Sequence, residues 1–171
     1  MRYVIDPEQS AVHVLARSSL HPFRGAAPVS GHVDADFCDG RLDVGKPHGG
    51  LLHVEVDDLR GDVPHLDKEL RNRLDSQRYP TVTAVLTEVR ESADRGYQMS
   101  GELTLHGRTQ RVVGRASLAL DARGRLRLRG TLTLDIRDFG LTPPKLLMLK
   151  VHPEVEVHLG LVAVAPAGTT P

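Results

Sequence analysis

The chain has 171 residues, enough for one domain with a sizeable core. Its 22 basic and 22 acidic residues cancel, which removes any global electrostatic argument for nucleic acid or an anionic surface. A single cysteine, Cys38, excludes an internal disulfide and a cysteine metal cluster, and 4% aromatic content without Trp argues against a sugar- or base-stacking surface.

In chain order, Tyr3 to Ile5 reads as a short strand stopped by Asp6-Pro7. No apolar signal-type run opens the sequence, so the expected location is cytoplasmic. No apolar run reaches the ~20 residues of a membrane-spanning helix, so no stable membrane insertion is expected. Ala11 to Arg17 is a second strand, with Val12 and Val14 on one face and His13 and Leu15 on the other. Ser18 to Pro28 reads as irregular, broken by Pro22, Gly25 and Pro28. Val29 to Phe37 and Leu51 to Leu59 alternate as strands around a glycine-rich loop. Residues 64–77 form the one predicted helix, with Leu66, Leu70 and Leu74 making a narrow apolar stripe on a surface helix. Pro64 suits its first turn, and Pro80 stops it. Thr81 to Arg90 is again a strand.

Tyr97 to Leu134 is the most regular stretch. Tyr97, Met99, Leu103 and Leu105 share one face of its first strand; Val112, Ala116, Leu118 and Leu120 that of its second; Leu126, Leu128, Leu132 and Leu134 that of its third. A two-residue turn at Gly107-Arg108 predicts that Leu103 pairs with Val112 and Gly101 with Gly114. A three-residue turn at Ala122-Arg123-Gly124 predicts Ala116 opposite Gly130. The inward face would then carry a bare patch of Gly101, Gly114, Ala116 and Gly130. Leu141 to Lys150 is an unusually apolar connection and should dock against the body. Val151 to Val164 is the last strand, with Val155, Val157, Leu159 and Leu161 inward.

The sum is an all-β chain of about eight antiparallel strands with one short helix, which predicts a closed up-and-down barrel or a curled sandwich. An eight-strand barrel is either filled by its side chains or holds one small ligand. Spacing by itself favours the filled form. Nine histidines are present, and none forms the two-apart or four-apart pair of a metal site. Ser10 with His13, or Ser18 and Ser19 with His21, could supply a nucleophile and base, but no Gly-x-Ser-x-Gly elbow accompanies them and no enzyme is expected. Arg111, Arg115, Arg125, Arg127 and Arg129 project outward without interleaved aromatics, a solvated face rather than a nucleic-acid surface.

Five motifs in order resemble the YceI-like family of lipocalin-type polyisoprenoid-binding proteins. They are Tyr3-Val4-Ile5-Asp6-Pro7 with Ser10; Gly25 with Val29-Ser30-Gly31; Asp67 and Leu70 followed by Tyr79-Pro80; Gly101-Glu102-Leu103-Thr104-Leu105-His106-Gly107-Arg108-Thr109; and Arg137-Asp138-Phe139-Gly140. The resemblance covers Tyr3 to about Ala163. Residues 1–165 would be one lipocalin-like domain and 166–171 a disordered tail. Tyr3 stands where the family has Trp, the aromatic pair after the helix motif is missing, and the loop around Pro143-Pro144 is longer and more apolar than the family norm.

The resemblance implies a hollow barrel, often a homodimer, that stores or transports a polyisoprenoid or fatty-acyl chain without catalysis or cofactor. The alternatives are a solid-cored protein-interaction module and a small hydrolase. The expected wall of the lipid site is Tyr97, Met99, Gly101, Leu103, Gly114, Ala116, Leu118, Gly130, Leu132, Leu134, Val155 and Val157, with Leu146, Leu147 and Leu149 as a lid. His106 is expected to be structural, capping backbone groups at a hairpin end.

Overall fold

A computed structural model describes residues 1–63, 65–143, 145–146 and 149–166. In chain order the elements are β1 Arg2–Ile5, β2 Ala11–Ser18, β3 Phe23–Pro28, β4 Ser30–Asp34, β5 Phe37–Cys38, β6 Arg41–Leu42, β7 Gly49–Glu55, β8 Arg60–Gly61, α1 Leu66–Arg73, β9 Thr81–Glu91, β10 Tyr97–Leu105, β11 Arg108–Leu120, β12 Leu126–Asp135, β13 Lys145–Leu146 and β14 Leu149–Val164. β1 and β2 pair with successive parts of β14, and β3 and β4 are separated only by Val29. Taken as joined staves, they leave eight in the barrel, each antiparallel to the next, with β14 closing back on β1 and β2. This is the up-and-down barrel that the alternation predicts. The small β5–β6 hairpin stands apart, β8 adds to β3, and β13 folds back on β14.

Alternation sends aliphatic side chains inward and charged ones outward. The inward side chains divide the barrel lengthwise. One half is solid: Tyr3, Ile5, Val29, Val33, Leu42, Tyr97, Leu126, Leu128, Leu161 and Ala163 form a single buried cluster. Tyr3 meets the Phe37 ring edge-on at 6.2 Å, and the Tyr97 hydroxyl accepts the Leu42 N–H at 3.1 Å. These rings fill the axis at that end.

Three local expectations are corrected. Phe23–Pro28 is a strand, not an irregular stretch. The helix spans Leu66–Arg73 rather than 64–77, and it starts after His65, whose φ of 67° is left-handed and breaks the helical path. Pro64, expected in its first turn, lies outside the described residues. The first hairpin turns at His106-Gly107, with φ of 52° and 72°, so both central residues are left-handed as in a type I′ turn. Leu103 therefore pairs with Gln110 and Gly101 with Val112, two positions away from the expected register, and the inward face is preserved. The second hairpin keeps Ala116 opposite Gly130, as predicted.

That second hairpin is held by Asp121. Its carboxylate accepts the backbone N–H groups of Arg123 and Arg125 at 2.9 and 3.1 Å, and the guanidinium Nε atoms of Arg125 and Arg127 at 2.9 and 3.1 Å. Burial pushes this carboxyl up, but the hydrogen bonds from Arg125, Arg123 and Arg127 outweigh it and hold the group well below the usual carboxylate range. A depressed folded-state pKa means stability that is present above the unfolded value of about 4 and fades as pH falls toward the folded one. Asp121→Asn should therefore destabilise the protein at pH 7, and the gap to wild type should narrow progressively below about pH 4 in urea melts.

Candidate functional site: an aliphatic cavity in one half of the barrel

Below the solid half the barrel is hollow. A cavity of about 310 Å³ lies between Val12, Val14 and Ala16 of β2, Leu52 and Val54 of β7, Val82 and Ala84 of β9, and Leu103 and Leu105 of β10. Val112 of β11, Leu132 and Leu134 of β12, and Val155, Val157 and Leu159 of β14 complete the ring. Its outer end is partly covered. Leu66, Leu70 and Leu74, the apolar stripe of the helix region, face the cavity, joined by Leu59, Ile136 and Leu141. A second buried cluster of Phe23, Leu66 and Val151, with Leu70 and Leu149 against it, holds this cover in place. Asp67 anchors α1 by accepting the Gly61 N–H at 2.6 Å.

The cavity's polar neighbours stand at its margin. Arg73 donates to the Glu69 carboxylate at 2.6 Å and to the Thr142 carbonyl at 3.3 Å. Arg24 lies 3.9 Å from the Asp62 carboxylate with its side chain 64% exposed. Arginines placed this way lend their methylene stems to the wall while their heads stay wet. Among the described residues the interior therefore offers a ligand almost wholly apolar contact, with Arg24, Arg73 and His152 at its border.

Of the expected wall, Leu103, Leu132, Leu134, Val155 and Val157 come together on the cavity. Tyr97 and Ala116 belong to the solid half, and Met99 and Leu118 pack against it. The small residues do not make a bare patch. A Cβ at Gly101 would stand 2.4 Å from the Val85 carbonyl oxygen, and one at Gly114 would stand 2.9 Å from that of Thr131. A Cβ at Gly130 would meet Leu128, the Arg115 carbonyl oxygen and Leu159 at 3.5–3.7 Å. Close strand approach takes up the space that the missing side chains leave. In the expected lid, Leu146 pairs with Leu149 across a short hairpin, and Leu147 lies outside the described residues together with Met148. The lining from β2, β7, β9 and the helix region was missed. Its signal was present in the Leu66, Leu70 and Leu74 stripe, which needs something to cover.

The motif residues seal the barrel. The Ser10 hydroxyl donates to the Val162 carbonyl at 3.2 Å and accepts the Val162 N–H at 3.0 Å, stitching the β1–β2 corner to β14. That is a structural role, not a nucleophile's. The Ser18 hydroxyl bonds the backbone carbonyl of His21 rather than its ring. Tyr79 packs edge-on to His106 at 4.9 Å, and a Cβ at Gly107 would fall 2.5 Å from the Tyr79 ring. The His106 ring nitrogen Nδ1 lies 3.3 Å from the Phe139 carbonyl. Phe139, in the 3₁₀ turn Ile136–Phe139, is 1% exposed. Arg137 pairs with Asp135 at 2.6 Å. Of the outward arginines, Arg125 and Arg127 are tied to Asp121, and Arg111 lies 3.6 Å from Glu88.

An antiparallel barrel of eight staves with an aliphatic interior and a charged exterior defines a lipocalin-like barrel fold. The chain belongs to the YceI-like domain family, whose model matches residues 3–163. A curated relative from Pseudomonas savastanoi pv. phaseolicola, described as a UPF0312 protein, is 30% identical over 112 residues, 60% of this chain. The match spans 58% of that relative's length. The crystal structure of BcnA from Burkholderia cenocepacia superposes with a TM-score of 0.77 at 18% identity, covering 94% of this chain and 99% of that one. A polyisoprenoid-binding domain from Saccharophagus degradans, implicated in plant cell wall breakdown, superposes with a TM-score of 0.74 at 15% identity, covering 96% and 98%. Likenesses at such identities establish the shared fold.

Proposed function

We propose that the protein binds one long flexible hydrocarbon chain, a polyisoprenoid or a fatty-acyl lipid, in the hollow half of its barrel, and stores or carries it without chemical change. The observation that carries this reading is the aliphatic cavity lying between the solid core and the helix-bearing partial cover. Burying methylenes is worth ~0.8 kcal/mol each, so a chain filling such a space binds without polar anchors. The volume sits at the lower end of the roughly 300–1,000 Å³ usual for ligand sites, which suits a single chain. The polyisoprenoid-binding domain of the same fold from Saccharophagus degradans supports the choice of ligand class. The polarity also fits a carrier in water. Membrane barrels turn their apolar band outward, whereas this one turns Glu102, Arg111, Arg115 and Arg129 out and its leucines in. Among the described residues no helix is long and apolar enough to cross a membrane.

Organic extraction of the purified protein followed by mass spectrometry tests the reading. A stoichiometric lipid in the extract, or micromolar affinity for palmitic acid or geranylgeraniol in delipidated protein, is expected. Absence of both would leave a protein-interaction module with no lipid ligand as the better description.

A further inference from the structure

The barrel wall is not laced all the way round. β11 pairs with β10 from Arg108 to Ala116, and β12 pairs with β14 from Leu126 to Asp135. Between β11 and β12 the ladder runs only from Leu120 opposite Leu126 to Arg115 opposite Thr131. The same register continued would set Val113 opposite Thr133 and Arg111 opposite Asp135, yet among the described residues no pairing exists there. The strands part just past Gly114. The seam runs along the hollow half: Val112 stands on one lip and Leu132 and Leu134 on the other, and all three line the cavity. On the outer surface a hollow of about 430 Å³ sits where the strands part, between Val113 and Thr133, and Leu132 and Val157 border both spaces.

Side chains close this seam where backbone does not. Gln110 Nε2 donates to the Asp138 carbonyl at 3.0 Å, and the His106 ring lies against the Phe139 carbonyl at 3.3 Å. The 3₁₀ turn after β12 thus clasps the free edge of β11. One end of the barrel is filled by the buried cluster around Tyr3 and Tyr97, and the opposite end is narrowed by the helix-region leucines.

We propose that this seam is a lateral doorway, through which a flexible hydrocarbon chain enters and leaves the cavity sideways between β11 and β12 when the Gln110 clasp releases. The inference rests on the proposal that the cavity holds such a chain. Parting the lips breaks a side-chain bridge, whereas parting any fully laced pair of staves breaks a ladder of backbone hydrogen bonds. A doorway sets how fast ligand passes and leaves the bound and free end states alone, as expected of gating motions.

The test locks and loosens the seam. Val113→Cys with Thr133→Cys, on a Cys38→Ser background, places one thiol on each lip; oxidation, or a short bis-maleimide where the lips stand too far apart for a disulfide, joins them. With joining verified by mass, the on- and off-rates of a pyrene-labelled fatty acid should both fall at least about tenfold, with Kd unchanged and, for the disulfide, the rates restored by reduction. Gln110→Ala should raise both rates severalfold, again at constant Kd. Unchanged rates in the joined protein overturn the doorway and leave the lipid-binding reading standing. Failure of the unjoined protein to bind any single-chain lipid overturns the lipid-binding reading, and the doorway falls with it.

Discussion

Ala84→Phe should lower affinity for palmitic acid by about a hundredfold while leaving the melting temperature at or above that of wild type. Ala84 lies on β9 between Leu52 and Leu103, and its side chain borders the cavity. A phenyl group there occupies space that roughly four methylenes of a bound chain would otherwise fill. At ~0.8 kcal/mol per methylene that is about 3 kcal/mol, or roughly two decades in Kd. The new ring packs against aliphatic walls that face empty space, so the fold loses nothing and gains contact area. Isothermal titration and a thermal melt on the same sample separate the two effects. Affinity within threefold of wild type in a folded protein would move the ligand out of this cavity. Gly114→Leu is a poorer probe, because its Cβ would already press on the Thr131 carbonyl oxygen at 2.9 Å.

Leu126→Ala should destabilise the protein by about 3–4 kcal/mol, whereas Leu132→Ala, six residues along the same strand, should cost only about 1–2 kcal/mol. Both leucines point inward from β12. Leu126 is wholly buried in the solid half, so its removal leaves a new void inside the closely packed cluster. Leu132 borders space that is empty already, so its truncation enlarges a cavity and forfeits fewer contacts. Urea denaturation of the two variants measures the contrast. Equal losses would mean that the barrel is packed evenly along its length.

That pair of leucines shows what the sequence could and could not reveal. Period-two alternation marks both as inward, and it marked the staves, the closed meander and the charged exterior. It is silent on whether an inward residue meets a partner across the barrel. That depends on which other side chains arrive at the same level: Tyr3, Tyr97 and Phe37 at one end, chiefly Val, Leu and Ala with Phe23 and Ile136 at the other. The turn at His106-Gly107 was misplaced for a related reason. Glycine announces a left-handed residue, and the chain put a second one on histidine, where Tyr79 and the Phe139 carbonyl hold the ring. The strand Phe23–Pro28 was hidden by Gly25 and Pro28, because breakers weigh against a strand when its pairing partner is not visible. The family motifs were legible as motifs. Their work, sealing the corner at Ser10 and the end at Tyr79, His106 and Phe139, emerges only when segments far apart in sequence meet.

The small residues first read as a bare wall have instead become the places where strands approach closely. One of them, Gly114, marks where the β11–β12 ladder gives out. The sites expected on Tyr97 and Ala116 move into the core, and the helix-region leucines move from a surface stripe onto the cavity.

Methyl-resolved NMR during titration with palmitic acid or geranylgeraniol tests the division into a solid and a hollow half most directly. Methyl resonances of Leu103, Leu132, Leu134, Val155 and Val157 should shift and saturate at one equivalent, while those of Leu126, Leu128 and Leu161 stay in place. Shifts confined to the second group or to outward methyls such as Val85 and Val113, or no shifts with either ligand, would contradict a single-chain site in the hollow half.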